Sequence, residues 1–239
     1  MPSTVVFVYR LSPREVCYSF LVDNKILSNG MVFEAILDAI DIQFRGDYSD
    51  FIKLRDMVDS VMDSIIAAHA FYSMSPLSYV RLNWVEMKEN IPNDKTIIGL
   101  FDPAFKLRGY PRRDHPDNEK FHKACALFPY TEATPELRRA LKDYRMALLQ
   151  LGEDAYFYAY RAVENIRLYF APSKEGDWHL MHEKLGTSKE FIEPLTKQAK
   201  DARHGNYSAV LTDGDTRNKC LDISRKVLEN FVRYLGGTL

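Results

Sequence analysis

The stretch EDAYFYAYRAVENIRLYF, Glu153 to Phe170, decides the fold. It contains neither Pro nor Gly, and it is apolar over much of a helical circumference. It therefore predicts a helix at the centre of a bundle. A central helix needs neighbours, and the flanking sequence supplies them. Upstream, Thr134-Pro135-Glu136 opens a helix: Thr caps, Pro takes the first turn, and the acid suits the positive end of the dipole. Leu137, Leu141, Tyr144 and Leu148 form its stripe, and Gly152 ends it. Downstream, Trp178 to Leu185 predicts a short helix stopped by Gly186, and Thr187 with Glu190 makes a capping box for the next one. Pro194 kinks that helix or resets its start, and the helix runs through Lys197, Lys200 and Arg203 to Gly205. A last helix runs from about Thr216 to Leu235, with Val227, Phe231 and Leu235 on its buried face and Gly236 at its end.

The first part of the chain is mixed. VVFVYRL (Val5 to Leu11) and EVCYSFLV (Glu15 to Val22) are β-branched and aromatic runs separated by the turn signal Ser12-Pro13. MVFEAILDAI, from Met31, reads as a helix. From Asp50 to Met74 the residues Leu54, Val58, Val61, Ile65, His69 and Tyr72 recur at helical spacing. Leu77 to Met87 alternates as a strand, and Ile97 to Phe101 offers it a partner. The pattern then fades in a segment with several prolines. The fold class expected is α+β: a mixed strand/helix module over 1–101, a linker or crossing loop over 102–133, and an all-α bundle over 134–239.

Composition excludes several classes. The chain has 239 residues, 46% of them hydrophobic, and a formal net charge of −1. Any nucleic-acid site must be a local patch, not a global field. Cys17, Cys125 and Cys220 are far apart and odd in number, which fits free thiols in a cytoplasmic protein, not a disulfide framework or zinc site. No stretch approaches the roughly 18 to 20 apolar residues of a membrane span. Phosphate-cradling GxxxxGK[ST], GxSxG and HExxH motifs are missing, and no cofactor is expected.

One stretch stands out for chemistry: KQAKDARHGN, Lys197 to Asn206. On a helix Lys197, Lys200, Asp201 and His204 share one face, with Arg203 slightly aside. A His beside cations can move a proton near neutral pH while Lys and Arg hold a phosphate and Asp201 orients the imidazole. The same residues also suit an ordinary helix end, where basic side chains meet the dipole and Gly follows. Elsewhere, Lys106, Arg108, Arg112, Arg113, Lys120 and Lys123 interleave with Phe105, Tyr110 and Phe121 in the expected linker, a pattern that fits a solvated loop better than a single-strand binding site. His115 and His122 lack a recognised metal spacing, and no metal site is expected. His179 and His182 read as a surface pair that can extend a site facing His204, and His69 as a core histidine.

The order of features from Thr134 to Leu235 resembles the HEPN superfamily of helical domains. A long helix leads to a central one bearing YRAVENI (Tyr160 to Ile166). A loop with Trp178 and a short helix follow, then a helix ending in the Arg-His-Gly of DARHGN, then a closing helix. The resemblance covers somewhat under half the chain. It implies a homodimer and, as in the family's RNase members with their R-x(4–6)-H motif, a metal-independent RNA-cleaving site shared between two copies. It transfers His204 directly, Arg203 and Asp201 as parts of a D-x-R-H-G variant, Glu164 and Arg161 from the earlier helix, and Lys197 by analogy. Where the nuclease pattern has its spaced Arg, this sequence has Lys197, Gln198 and Ala199. Two functions are expected on this basis. One is an RNA- or nucleotide-related protein acting as a metal-independent RNase in a toxin or phage-defence setting. The other is a non-catalytic module for protein or nucleotide binding and dimerisation.

Overall fold

The computed structural model describes residues 3–12, 31–36, 39–46, 51–74, 78–91, 94–98, 118–150, 152–173, 177–203 and 214–237. The chain divides into two units, Met1–Met62 with Leu77–His122, and Asp63–Pro76 with Lys123–Leu239. The first holds β1 (Ser3–Ser12), β2 (Met31–Ile36), β3 (Ala39–Gly46), β4 (Ser78–Ile91) and β5 (Asp94–Ile98). Their backbones pair antiparallel in the order β2-β3-β1-β4-β5, with a register shift at Val8/Tyr9 where β1 meets β4.

The stretch MVFEAILDAI is not a helix. Met31 pairs with Phe44 and Ile36 with Ala39 in a β2–β3 ladder. The deciding signal lies just downstream: Ile40, Ile42 and Phe44 alternate with Asp41, Gln43 and Arg45, a period of two that no helix has. The strand expected over Glu15 to Val22 lies outside the described residues, as do Cys17, Asp114 and His115.

The expected fold class also needs correcting. The residues whose packing is described form an all-helical body: seven helices and no strand among them. They are α1 (Phe51–Ser73), α2 (Asn118–Ala133), α3 (Pro135–Leu149), α4 (Asp154–Phe170), α5 (His179–Leu185), α6 (Lys189–Arg203) and α7 (Gly214–Tyr234). The expected mixed module over 1–101 is not a self-contained strand/helix layer, because the second half of α1 belongs to the helical unit. The reason is burial. Ile65, Ile66, Ala67, Ala68, Ala70 and Phe71 are all buried, which is nearly the whole circumference of this half of the helix. Phe71 meets the Tyr144 ring edge-on at 6.3 Å, the Tyr144 hydroxyl donates to Met74 Sδ at 3.1 Å, and Lys142 pairs with Asp63 at 3.8 Å.

The end of the expected linker is likewise helical. In α2 Ala124, Cys125, Leu127, Phe128 and Thr131 are buried at helical spacing. Pro129 hides the pattern in the sequence, yet it sits exposed within the helix and sacrifices one backbone bond. Thr134 separates α2 from α3 in an extended conformation. Its hydroxyl makes no cap bond, so Pro135 rather than the Thr side chain sets the start of α3.

α4 touches α3, α5, α6 and α7. Ala155, Ala159, Ala162, Val163 and Ile166 are buried along it, and the small residues let α7 come close enough for the Ser224 hydroxyl to donate to the Ala159 carbonyl at 3.0 Å. Burial pushes the Cys125 thiol up, and the Cys220 thiol up to about 11, so neither is a nucleophile at neutral pH. Two further contacts close the bundle. Arg217 of α7 donates through Nε and Nη2 to the carbonyls of Ala147, Leu148 and Gln150, the frayed end of α3. At the other end of α7, Gly236 (φ 85°) turns the chain left-handed, so that Gly237 N–H reaches the Val232 carbonyl at 2.9 Å.

Arg217 thus serves three carbonyls that have no intrahelical donor. Arg217→Ala should lower the stability of the chain by about 1–3 kcal/mol, as for hydrogen bonds made by a charged donor. Lys226→Ala, which removes an exposed pair with Glu229, should change it by less than about 0.5 kcal/mol. Urea unfolding followed by circular dichroism tests both. Equal effects would show that the cap carries no special weight.

Candidate functional site

The site grows from the C-terminal end of α4. Arg167 is buried there, and its guanidinium donates to the carbonyl of Ala171, which ends the helix, at 3.3 Å. A buried cation needs such partners. Its second contact is the face of Trp178, 5.8 Å from the ring centroid. Trp178 is thereby held where α5 begins. Asp177 Oδ1 accepts from the His179 N–H at 3.1 Å. The His182 ring stacks on Trp178 at 6.3 Å, with an interplanar angle of 27°, and its Nδ1 lies 2.8 Å from Thr187 Oγ1. Gly186 (φ 60°) makes the turn that brings Thr187 back beneath His182.

Because Thr187 bonds His182, it does not cap α6. The capping box expected at Thr187 and Glu190 moves by one residue: Ser188 Oγ accepts from the Phe191 N–H at 3.2 Å. The Glu190 carboxyl is held below the usual carboxylate range by hydrogen bonds from its own N–H and from Ser188. Along α6, Ile192, Leu195 and Ala199 are buried. The stripe beside it, Lys189, Glu193, Lys197 and Lys200, recurs about once per turn and is exposed.

That stripe is one wall of a cleft of about 710 Å³. Tyr160 of α4 and Trp178, with ring centroids 6.0 Å apart, form the aromatic wall, and Asp177, His179 and His182 complete the rim. The volume is in the range of small-molecule sites. Among the described residues, Glu193, Lys197 and Lys200 stand in no ion pair, so their charges are available to a ligand.

The residues singled out from the sequence divide. Lys197 and Lys200 line the cleft. Asp201 lies half-buried on the last turn of α6. Arg203 is the final residue of that helix, with its side chain outside the described residues, as is the whole of His204. Glu164 is half-buried on α4, one turn past Tyr160, and does not line the cleft. Arg161 is engaged elsewhere. It pairs with Asp143 of α3 at 3.4 Å, Asn165 donates to the same carboxylate at 2.8 Å, and the guanidinium lies over Phe157 and Tyr158. Burial pushes the Asp143 carboxyl up, against the lowering effect of Arg161, so this pair clamps α3 to α4. Sequence reasoning missed Tyr160 and Glu193. The signal for Glu193 was present, as the charged stripe of α6 beside Ile192, Leu195 and Ala199.

Residues 123–236 match the C-terminal domain of a domain of unknown function, DUF8168. The match takes in α3 to α7 and every residue of the cleft. No curated protein and no solved structure matches the chain.

Desolvation lowers the His182 pKa below 6.5; the Glu190 carboxylate opposes this and His179 adds to it. A depressed histidine favours the folded state while neutral. Its contribution is therefore complete above about pH 6.5 and is lost as pH falls toward the folded pKa. His182 should titrate below 6.5 in NMR, and the loss of stability from pH 6.5 downward should shrink in His182→Gln. A His182 midpoint above 6.5 would contradict the desolvated setting.

Proposed function

We propose that the helical unit is an RNA- or nucleotide-binding module, HEPN-like in character, and that the α4–α5–α6 cleft holds the ligand. One observation carries this reading: Lys197 and Lys200, without ion-pair partners among the described residues, share a cleft with Trp178 and Tyr160. Cations for phosphate and rings for the base are the two elements that single-stranded nucleic acid requires. The overall charge of −1 makes the patch local, as expected of a site rather than a field.

In the catalytic form of this proposal the strand continues toward the end of α6. His204 takes the proton of a ribose 2′-hydroxyl as its oxygen attacks phosphorus, and Asp201 orients the imidazole. The bond to the 5′-oxygen breaks, and that oxygen leaves with a proton from water or from a second imidazole across the dimer. Arg203 and Lys197 stabilise the added charge on the phosphorane. The non-catalytic form has its own support: Lys197, Gln198 and Ala199 occupy the place of the nuclease pattern's Arg, and Lys does not offer a planar bidentate group.

Fluorescence anisotropy with a labelled single-stranded RNA tests the binding proposal. Lys197→Ala and Lys200→Ala should each weaken binding about tenfold and lower the salt slope by about 0.7. Incubation with total RNA in EDTA tests catalysis: cleavage lost in His204→Ala supports the RNase form, and no cleavage by the folded wild-type chain eliminates it while leaving binding intact.

A further inference from the structure

Resting on that cleft as a nucleotide site, we infer that its ligand carries guanine, read by Glu193. The argument begins with the order of charges along α6. Lys189, Glu193, Lys197 and Lys200 stand on one stripe, all lining the cleft, with one lysine on the N-terminal side of Glu193 and two on its C-terminal side. At 1.5 Å per residue, Glu193 lies about 6 Å from Lys197 and about 10 Å from Lys200 along the axis. That span is comparable with a nucleotide from its base edge to its phosphate. The carboxylate repels the phosphate, and the paired Lys197 and Lys200 attract it more than the single Lys189 does, so a nucleotide enters with its phosphate toward Lys200 and its base edge toward Glu193. Trp178 and Tyr160 form an aromatic wall of the same cleft.

The base must then satisfy an ionised carboxylate, which only accepts hydrogen bonds. Guanine presents N1–H and the 2-amino group side by side, two parallel donors that match both carboxylate oxygens. Adenine and cytosine present one amino group next to an acceptor nitrogen, which repels the second oxygen. Uracil presents one N–H between two carbonyls. Among the described residues Glu193 stands in no ion pair, with Lys189 and Lys197 each four residues away on the same stripe.

Calorimetric titration of the full chain with GMP, IMP, AMP, CMP and UMP tests this. GMP should bind at least about tenfold tighter than AMP, CMP and UMP, and IMP, which keeps N1–H but lacks the 2-amino group, should fall between. Glu193→Gln should bring GMP to within about twofold of AMP. Lys197→Ala combined with Lys200→Ala should weaken all five. Equal binding of the five by the wild-type chain, or IMP binding as tightly as GMP, overturns the guanine assignment and leaves the nucleotide site standing. No binding of any of the five by a chain that circular dichroism shows to be folded overturns the site as well.

Discussion

Asp154 and Tyr169 alone among the residues of α4 are exposed, Tyr169 only by 39%, and the rest of the molecule's helical half follows from that burial. Covering such a helix takes neighbours on most sides, and α3, α5, α6 and α7 supply them. The alanines at 155, 159 and 162 set how close those neighbours come. Close approach leaves polar groups without water, and several are answered. Ser224 donates to Ala159, Asn165 and Arg161 hold Asp143, and Asn230 donates to the Leu185 carbonyl at 2.9 Å. These bonds add little net stability individually, but their loss strands a buried group, so they fix one arrangement over its competitors.

The same constraint makes the cleft. α4 ends with a buried Arg167, whose charge is received in part by the Ala171 carbonyl and the Trp178 ring. That places an aromatic ring at the mouth of α5, and the turn at Gly186 and Thr187 then aims α6 alongside it. A helix in that position must present its apolar stripe to α4 and its charged stripe outward. The cleft is the space left between the outward stripe, Trp178 and Tyr160. Its chemistry is thus a by-product of packing in position, though not in residue type.

Much of this was legible beforehand. The helical stretches of the C-terminal half, the centrality of Glu153 to Phe170 and the basic face of α6 are periodicity signals, and periodicity survives without knowledge of the fold. Where the reading failed, local patterns competed. MVFEAILDAI carries a helix-like spacing that the alternation of Ile40 to Arg45 overrides through strand pairing. Pro129 masks α2 because a proline inside a helix is costly on average, and only the burial of Leu127, Phe128 and Thr131 compensates. Arg161 enters as a site residue through the resemblance of YRAVENI to the HEPN pattern, and its partner Asp143, on another helix, is not visible in that motif.

The sequence by itself determined that the segments from Thr134 onward are helical, which of their faces are apolar, and that Lys197 and Lys200 stand together on the polar side of α6. These depend on neighbours within one or two turns. Only the tertiary structure decided which cations are consumed by packing and which remain for a ligand. Arg167 and Arg161 go to the core and to the α3–α4 clamp, while Lys197 and Lys200 face Trp178 across the cleft. The physical reason is that a charge is neutralised by whatever lies within a few ångströms in space, and that distance has no counterpart along the chain.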